Sequence, residues 1–288
     1  IDVQRSGPST GMPTRSQQSD LFAAAYASHG DTKHILLFPS TPTECFDMTA
    51  MSFDLAERFQ TPVIVMTDLD LGMNDHLCDP FKWDDSRRFD RGKVLTAEAL
   101  DHLNEFGRYL DVDGDGVTYR TLPGTHPDKG AFFTRGSSKD EFARYTEDGQ
   151  AYVRNMKRLE KKWDTIKSNV PTSDISLDPD FNKAILYFGT TIYSAEEALD
   201  ILKEHDLHYN WIRIKSFPFG PEVIDFINRH EEIFVIEQNR DAQMRSLLIN
   251  ELEVAPSKLK KVLNYDGMAI TAEQISMSIK EATIFMDH

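Results

Sequence analysis

The chain has 288 residues, of which 40% are hydrophobic and 27% charged, a composition typical of a folded protein with one large core or two medium ones. Lys and Arg number 32 against 47 Asp and Glu, so the formal net charge is −15, which disfavours binding to nucleic acid or to an anionic membrane. The apolar runs, such as 35–38 and 63–66, are far shorter than the roughly 18 to 20 residues that cross a bilayer.

The short apolar runs predict a soluble protein, and the cysteines predict a cytoplasmic one. Only Cys45 and Cys78 occur, too few for a four-cysteine zinc or iron-sulfur site within this chain, and reduced thiols are the default expectation. Ile1 begins what looks like the tail of an apolar strand, without a signal-peptide pattern. We therefore expect a truncated or processed chain.

The first part of the chain predicts an α/β domain over residues 1–75. Leu21, Phe22, Ala25 and Tyr26 lie at helical spacing and predict a helix over 15–29. Two short apolar runs follow, with a helical segment between them. The predicted elements are a strand at 34–38, a helix at 43–59 and a strand at 62–67. Continuous apolar strands of this length are typical of a parallel sheet covered on both faces.

Residues 76–179 are interpreted as an extended connection that ends in an amphipathic helix. Asp, Gly and Pro are frequent from about 74 to 148, and little periodicity is sustained. The run 152–167 places Met156, Leu159 and Trp163 on an apolar stripe among many Lys and Arg residues. A solvated helix is favoured there over a nucleic-acid patch, because the rest of the chain is acidic.

A second α/β domain is predicted over 180–288, since strands and helices alternate there. Ser194 and Glu197 form a capping-box pattern. The predicted elements are strand 184–189, helix 194–204, strand 211–214, helix 221–229, strand 233–237 and helix 241–253.

Several candidate motifs point to no strong site. The segment 111–116 resembles the start of a calcium loop, but Leu122 stands where a bidentate Glu should close the cage, so a polar turn is favoured. The stretch 114–116 also resembles the start of a magnesium-diphosphate motif, but that motif needs an Asn later in the chain, and residues 139–148 contain none. The histidines show no metal-ligand spacing, and Glu44 and Asp47 receive no role.

The segment from Arg5 to Thr14 is the best candidate for a binding site. Its glycines and prolines permit a tight loop that leaves the carboxyl end of an apparent strand, the edge of a parallel sheet where ligands bind. Thr14 and Gln17 fit a capping box, so the loop is expected to enter a helix whose free amides attract an anion. Arg5 adds a planar cation that can hold a carboxylate bidentately. The alternative is a capped turn with a surface arginine.

The same residues resemble the alpha subunit of 2-oxoacid:ferredoxin oxidoreductases, especially the 2-oxoglutarate type. Further similar stretches occur in the same order over essentially the whole chain. The similar stretches are 4–14, 18–21, 61–68, 119–124 and 237–244. One departure is Ser6, where the family usually carries Gly, and little disruption is expected because Ser is also small.

The resemblance implies the fold, the reaction and the partners. The fold would be a truncated thiamine-enzyme pyrimidine-type α/β domain with a parallel sheet, followed by a transketolase C-terminal-like α/β domain. Enzymes of this family cleave a 2-oxoacid with thiamine diphosphate, reduce ferredoxin through an iron-sulfur cluster and acylate coenzyme A. A beta subunit would mainly hold thiamine diphosphate with Mg²⁺ and a [4Fe-4S] cluster, and would dock ferredoxin. A second alpha-beta unit is also implied, with neither nucleic acid nor membrane as a partner.

The resemblance also implies roles for individual residues. Arg5 would pair with the substrate carboxylate, and Thr14 would donate a hydrogen bond to the same end of the 2-oxoacid. A supporting loop would consist of Gly7, Pro8, Ser9, Thr10 and Gly11. No catalytic residue is expected in this chain, since the family's activating glutamate, its substrate-recognition segment and its gamma-type domain would lie upstream of Ile1. Residues Glu237, Asn239 and Gln243 are expected to order a loop. The alternatives are the same enzyme class acting on pyruvate or a branched 2-oxoacid, and a non-catalytic calcium-binding interaction module.

Overall fold

A computed structural model describes residues 1–9, 11–132 and 136–284. Contacts between Cα atoms divide the chain into two units. The first unit contains 1–52, 62–85 and the chain from Val170 onward, and the second contains 53–61 and 86–169. The predicted division at 75/76 and 179/180 stays a prediction.

Helices and strands are mixed along the whole length of the described chain. Up to residue 169 they are β1 (Asp2–Ser6), β2 (Met12–Ser16), α1 (Leu21–Ala25), β3 (Ile35–Leu37), α2 (Pro42–Phe59), β4 (Val63–Asp68), α3 (Leu69–Met73), α4 (Ala97–Asp101) and α5 (Gly149–Lys167). Beyond it they are β5 (Asp174–Ser176), β6 (Lys183–Phe188), α6 (Ile192–Glu204), β7 (Asn210–Ile214), β8 (Ser216–Phe217), α7 (Pro221–Arg229), β9 (Glu232–Glu237), α8 (Gln243–Leu252), β10 (Leu259–Leu263) and α9 (Ala272–Ile284).

The first sheet has the order β2-β1-β4-β3-β8. Strands β1, β4 and β3 are mutually parallel, whereas β2 and β8 are antiparallel edge strands. All three residues of β3 are fully buried, as the continuous apolar run predicts. Strand β8 comes from far along the chain and pairs Phe217 with Leu36. The first sheet is therefore completed by the second half of the sequence.

The second sheet has the order β10-β9-β6-β7-β5, and only β5 is antiparallel. Every residue of β9 is buried. Helices α6 and α9 pack against one face through Ala195, Leu202 and Ile275, which are fully buried. The predicted α/β class with parallel sheets is confirmed.

Two predictions for the start of helices are wrong. Residues 12–16 form β2 rather than a helix, because they pair with β1 in an antiparallel ladder, and the helix predicted over 15–29 is reduced to α1. Thr14 therefore lies in a strand and does not cap a helix. Ser194 lies inside α6, where its hydroxyl donates to the carbonyl of Ile270 at 2.6 Å instead of capping the helix.

The second unit is built around α5, whose N-cap Asp148 accepts from the amide of Ala151 at 2.8 Å. Gly116 has a φ of +78°, and a Cβ there would lie 2.2 Å from the backbone nitrogen of Lys162. The 111–116 loop therefore packs its backbone directly on α5. The Lys93 ammonium lies 2.6 Å from the Asp113 carboxylate and 2.8 Å from the Asp115 carboxylate, both in this loop. These carboxylates thus form an internal ion pair, which argues against the calcium-module alternative.

A buried arginine in the first unit joins β5 and β7 to the start of α2. Arg213 is 5% exposed and donates to Glu44 at 2.6 and 2.7 Å and to Ser40 Oγ at 2.5 Å. Its Nε also donates to Asp174 at 3.0 Å. Burial would raise the pKa of Glu44, but the hydrogen bonds from Arg213 and from the Ser40 amide outweigh it and lower this pKa. Glu44, to which the sequence assigned no role, is therefore structural.

Replacing this arginine by an apolar side chain should destabilise the first unit strongly. We expect Arg213→Met to lower the free energy of unfolding by about 3 kcal/mol, because Glu44 and Asp174 lose their charged partner. Urea unfolding followed by circular dichroism measures the change. The matched control is Lys33→Met, which removes a more exposed pair with Glu251 and should cost less than about 1 kcal/mol. Equal losses in the two variants would contradict the argument.

The same ion pair predicts an acid-dependent loss of stability. Since the folded-state pKa of Glu44 is lowered, its contribution is complete above the unfolded pKa of about 4.3 and is lost as the pH falls through the folded pKa. Glu44→Gln should therefore be less stable than the wild type at pH 7, with a gap that narrows towards pH 3. Asp47→Asn, an exposed change on the same helix, should leave the pH profile unchanged.

Candidate functional site

The candidate site lies at the carboxyl ends of β1 and β4. In the parallel register Gln4 pairs with Asp68, so Arg5 and the hairpin loop that follows extend beyond the same edge as Asp68. This confirms the prediction that the loop leaves the carboxyl end of a strand. The loop returns through β2 and does not enter a helix.

Tight backbone geometry shapes the hairpin loop. A Cβ on Gly11, which has a φ of +48°, would lie 2.0 Å from the carbonyl oxygen of Ser6. Ser9 also has a positive φ of 56°, and Gly7, Pro8, Ser9 and Gly11 are all exposed. Thr10, the remaining member of the predicted supporting loop, lies outside the described residues. Ser6 is buried and anchors the hairpin by donating to the carbonyl of Ser16 at 3.1 Å.

Arg5 and Thr14 are both exposed on this hairpin. Within the described part of the chain, the Arg5 guanidinium forms neither an ion pair nor a hydrogen bond, and the Thr14 hydroxyl forms no hydrogen bond. The two side chains do not contact each other through a hydrogen bond. Their donors therefore remain available to a ligand, and the predicted roles of Arg5 and Thr14 stay predictions.

A group of buried polar side chains, which we call the carboxyl-edge cluster, joins this edge to the second sheet. It comprises Gln18, Asp68, Thr190, Thr191, Gln238 and Asn239, each at most 6% exposed. Asp68 is the last residue of β4, Thr190 and Thr191 follow β6, and Gln238 and Asn239 follow β9. All but Gln18 therefore lie at or just beyond the carboxyl ends of parallel strands. Of these residues, only Asn239 was predicted from the sequence to have a role.

Asp68 is the centre of the carboxyl-edge cluster. Its Oδ1 accepts from the amides of Asp70 and Leu71 at 3.0 and 3.2 Å, which caps α3. Its Oδ2 accepts from the Thr190 hydroxyl at 2.6 Å and from Gln18 Nε2 at 3.5 Å. Burial raises the pKa of Asp68, and the hydrogen bonds from Thr190, Leu71 and Gln18 oppose that rise.

Gln18 connects the segment after β2 to the loop after β9. Its amide donates to the carbonyl of Gln238 at 2.8 Å, and its carbonyl accepts from Asn239 Nδ2 at 3.0 Å. Its Oε1 is buried without a hydrogen-bond partner among the described residues. Gln18 thus fixes the chain that leaves the candidate loop.

The loop after β9 is ordered by Glu237, Asn239 and Gln243. Glu237 is fully buried and accepts from Asn239 Nδ2 and from the amides of Met244 and Arg245 at 2.7 to 2.9 Å. Gln243 Nε2 donates to the carbonyl of Ser19 at 2.6 Å. The prediction that these three residues order a loop is confirmed.

Removing the hydroxyl of Thr190 tests the role of Asp68. We expect Thr190→Val to lower the free energy of unfolding by about 1 to 3 kcal/mol at pH 7, because a buried carboxylate loses its shortest hydrogen bond. Without the Thr190 hydroxyl, the folded-state pKa of Asp68 should rise above that of the wild type, so lowering the pH stabilises the variant more. The difference in free energy of unfolding between the two proteins should therefore narrow between pH 7 and pH 4.5. Urea unfolding at both pH values measures it. Thr43→Val, an exposed change on α2, should stay within about 0.5 kcal/mol of the wild type at both.

Known proteins resemble this chain in sequence and in fold. A family model described as "Pyruvate flavodoxin/ferredoxin oxidoreductase, thiamine diP-bdg" matches residues 1–85. The 2-oxoacid:ferredoxin oxidoreductase 2, subunit alpha, of Aeropyrum pernix is 28% identical over 282 residues, which cover 96% of this chain and 42% of that protein. The 2-oxoglutarate synthase subunit KorA of Methanothermobacter thermautotrophicus is 29% identical over 249 residues, which cover 83% of this chain and 61% of that subunit.

A solved structure agrees with these relatives. It is the 2-oxoglutarate:ferredoxin oxidoreductase of Magnetococcus marinus, with 2-oxoglutarate, coenzyme A and succinyl-CoA bound. The match has a TM-score of 0.84 at 25% identity and covers 97% of this chain and 47% of that chain. This chain therefore spans between 42% and 61% of the length of these relatives. The predicted resemblance to the alpha subunits of 2-oxoacid:ferredoxin oxidoreductases is confirmed over most of the chain.

Proposed function

We propose that the chain forms the pyrimidine-domain, substrate-binding part of the alpha subunit of a thiamine-diphosphate-dependent 2-oxoglutarate:ferredoxin oxidoreductase. The enzyme would convert a 2-oxoacid, coenzyme A and oxidised ferredoxin into acyl-CoA, CO₂ and reduced ferredoxin, or run in reverse. The observation that carries the proposal is the relation to such alpha subunits over most of the chain. The KorA relative and the 2-oxoglutarate bound in the solved relative favour that substrate over pyruvate.

Arg5 would hold the substrate carboxylate, and Thr14 would donate a hydrogen bond to the same end of the molecule. Support comes from the position of Arg5 beyond the carboxyl edge of the sheet and from its unengaged guanidinium within the described residues. Both side chains would act by positioning, which favours reaction without proton exchange by either residue. The tight turn at Gly11 would keep them on one short hairpin.

The carboxylates beside this hairpin do not fit the role of binding thiamine diphosphate. Asp68 already accepts hydrogen bonds from four donors, and Glu237 accepts hydrogen bonds from three. Among the described residues, no three His, Cys, Asp or Glu side chains are grouped so that they could hold a metal ion. In our proposal the beta subunit mainly holds thiamine diphosphate with Mg²⁺ and the [4Fe-4S] cluster, and coenzyme A is a co-substrate.

The partners follow from the same proposal. The chain would assemble with a beta subunit and a second alpha-beta unit, and ferredoxin would dock on the beta subunit, since this chain is acidic. No helix within the described ranges has the length and apolar character needed to cross a membrane. A cytoplasmic location stays a prediction.

Replacing Arg5 tests the substrate role. In the assembled enzyme, Arg5→Ala should raise the KM for 2-oxoglutarate by about tenfold or more with a smaller change in kcat, because a charge-assisted contact to the bound carboxylate is lost. Steady-state ferredoxin reduction measures both constants. Binding of thiamine diphosphate should persist in the variant.

The control is Arg15→Ala, which removes an exposed arginine from the same hairpin. We expect it to leave KM within about twofold of the wild type. An unchanged KM in Arg5→Ala would remove Arg5 from the proposed role. Turnover on a panel of 2-oxoacids would separately test the identity of the substrate. Faster turnover of pyruvate or a branched 2-oxoacid would contradict the assignment of 2-oxoglutarate as the substrate.

A further inference from the structure

The second unit contains a cavity of about 190 Å³ that is lined by cations. Arg108 lies in a loop, and Arg158 and Lys162 lie one turn apart on α5. Gln60 and Thr118 are among the neutral lining residues, and within the described part of the chain no Asp or Glu lines the cavity. Three positive charges therefore meet in one partly buried space.

Neutral acceptors hold these three cations in place. Arg108 donates to Thr118 Oγ1 at 2.8 Å and to Gln60 Oε1 at 2.6 Å. Arg158 donates to the Gly116 carbonyl and Lys162 to the Phe59 carbonyl, both at 3.0 Å. Among the described residues none of the three cations has a carboxylate in an ion pair, and the Nε of each arginine is buried without an acceptor. Each cation thus keeps donors that the protein does not use.

The charges repel one another and are poorly solvated. Burial, together with the neighbouring Arg158 and Arg108, lowers the pKa of Lys162 to about 8. Burial also lowers the pKa of both arginines. Asp111, an acid that raises the pKa of Arg158, lies 4.0 Å from Lys161 and does not line the cavity. Holding three cations together without a carboxylate in an ion pair is costly, and a bound anion would offset that cost.

We propose that this cavity binds the phosphate group of a small molecule. A phosphate offers three acceptor oxygens in a tetrahedral array with up to two negative charges, which suits three cations on separate side chains. A single carboxylate offers two oxygens and one charge. The cavity is several times larger than the roughly 30 Å³ that one water occupies in the liquid, so a phosphate group fits. This inference does not depend on the proposed enzymatic function.

Binding of inorganic phosphate to the whole 288-residue chain tests the proposal. Isothermal calorimetry at constant ionic strength should show saturable binding at one site. Arg158→Gln should weaken the affinity by about tenfold or more, because a charged donor to the phosphate is lost. The matched control, Lys157→Gln, removes the same charge from an exposed position on the same helix and should stay within about twofold of the wild type.

A second measurement does not depend on any variant folding. Nuclear magnetic resonance of Cε-labelled lysines should show the pKa of Lys162 rising by about one unit at saturating phosphate. A shift of this size corresponds to phosphate binding about tenfold more tightly when Lys162 is protonated. No saturable binding of phosphate, an unmoved Lys162, or equal losses in Arg158→Gln and Lys157→Gln would overturn the proposal. Tighter binding of a dicarboxylate than of phosphate in direct competition would overturn the assignment to phosphate.

Discussion

A single buried carboxylate, Asp68, connects the elements on which the candidate site depends. It caps α3 through two backbone amides and accepts from Gln18 and Thr190, so it joins the edge of the first sheet to the strand end after β6. A charge in this position is tolerable only because donors surround it. The arrangement places the chain that leaves the hairpin against the loop after β9. The hydrogen bonds of Asp68 therefore fix the segment that follows the candidate hairpin.

The two polar networks of the first unit have different purposes. The carboxyl-edge cluster lies where parallel strands end, the edge at which α/β sheets bind ligands. The network of Arg213, Glu44 and Asp174 instead joins the start of α2 to β5 and β7, and each of its charges has an opposite partner. In the second unit the three cations around the cavity have no such partner within the described residues. The uncompensated charge around this cavity is therefore the basis of the phosphate proposal, whereas the compensated charges of Arg213, Glu44 and Asp174 support a structural role.

Local sequence patterns predicted the central strands but not the edges. Continuous apolar runs indicated β3, β4, β6 and β9, because strands buried on both faces have no polar alternation. The helix predicted over 15–29 failed since residues 12–16 pair with β1 across a hairpin, an interaction that helical periodicity cannot reveal. The position of the candidate site was predicted in part: the glycines and prolines of 7–13 indicated a loop after β1. The contact between Asp68 and Thr190 spans 122 positions and has no local signal, although a carboxylate directly after an apolar strand was a clue.

The two-residue strand β8 has a consequence for how this protein can be divided. Ser216 and Phe217 complete the outer edge of a sheet whose other strands lie within the first 68 residues. A fragment ending at residue 85, where the family match stops, would leave the backbone of Leu36 and Leu37 without that partner. The unpaired backbone groups of such an edge strand can form hydrogen bonds with a strand of another molecule. The segment matched by the family model and the segment that contains the complete first sheet therefore have different boundaries.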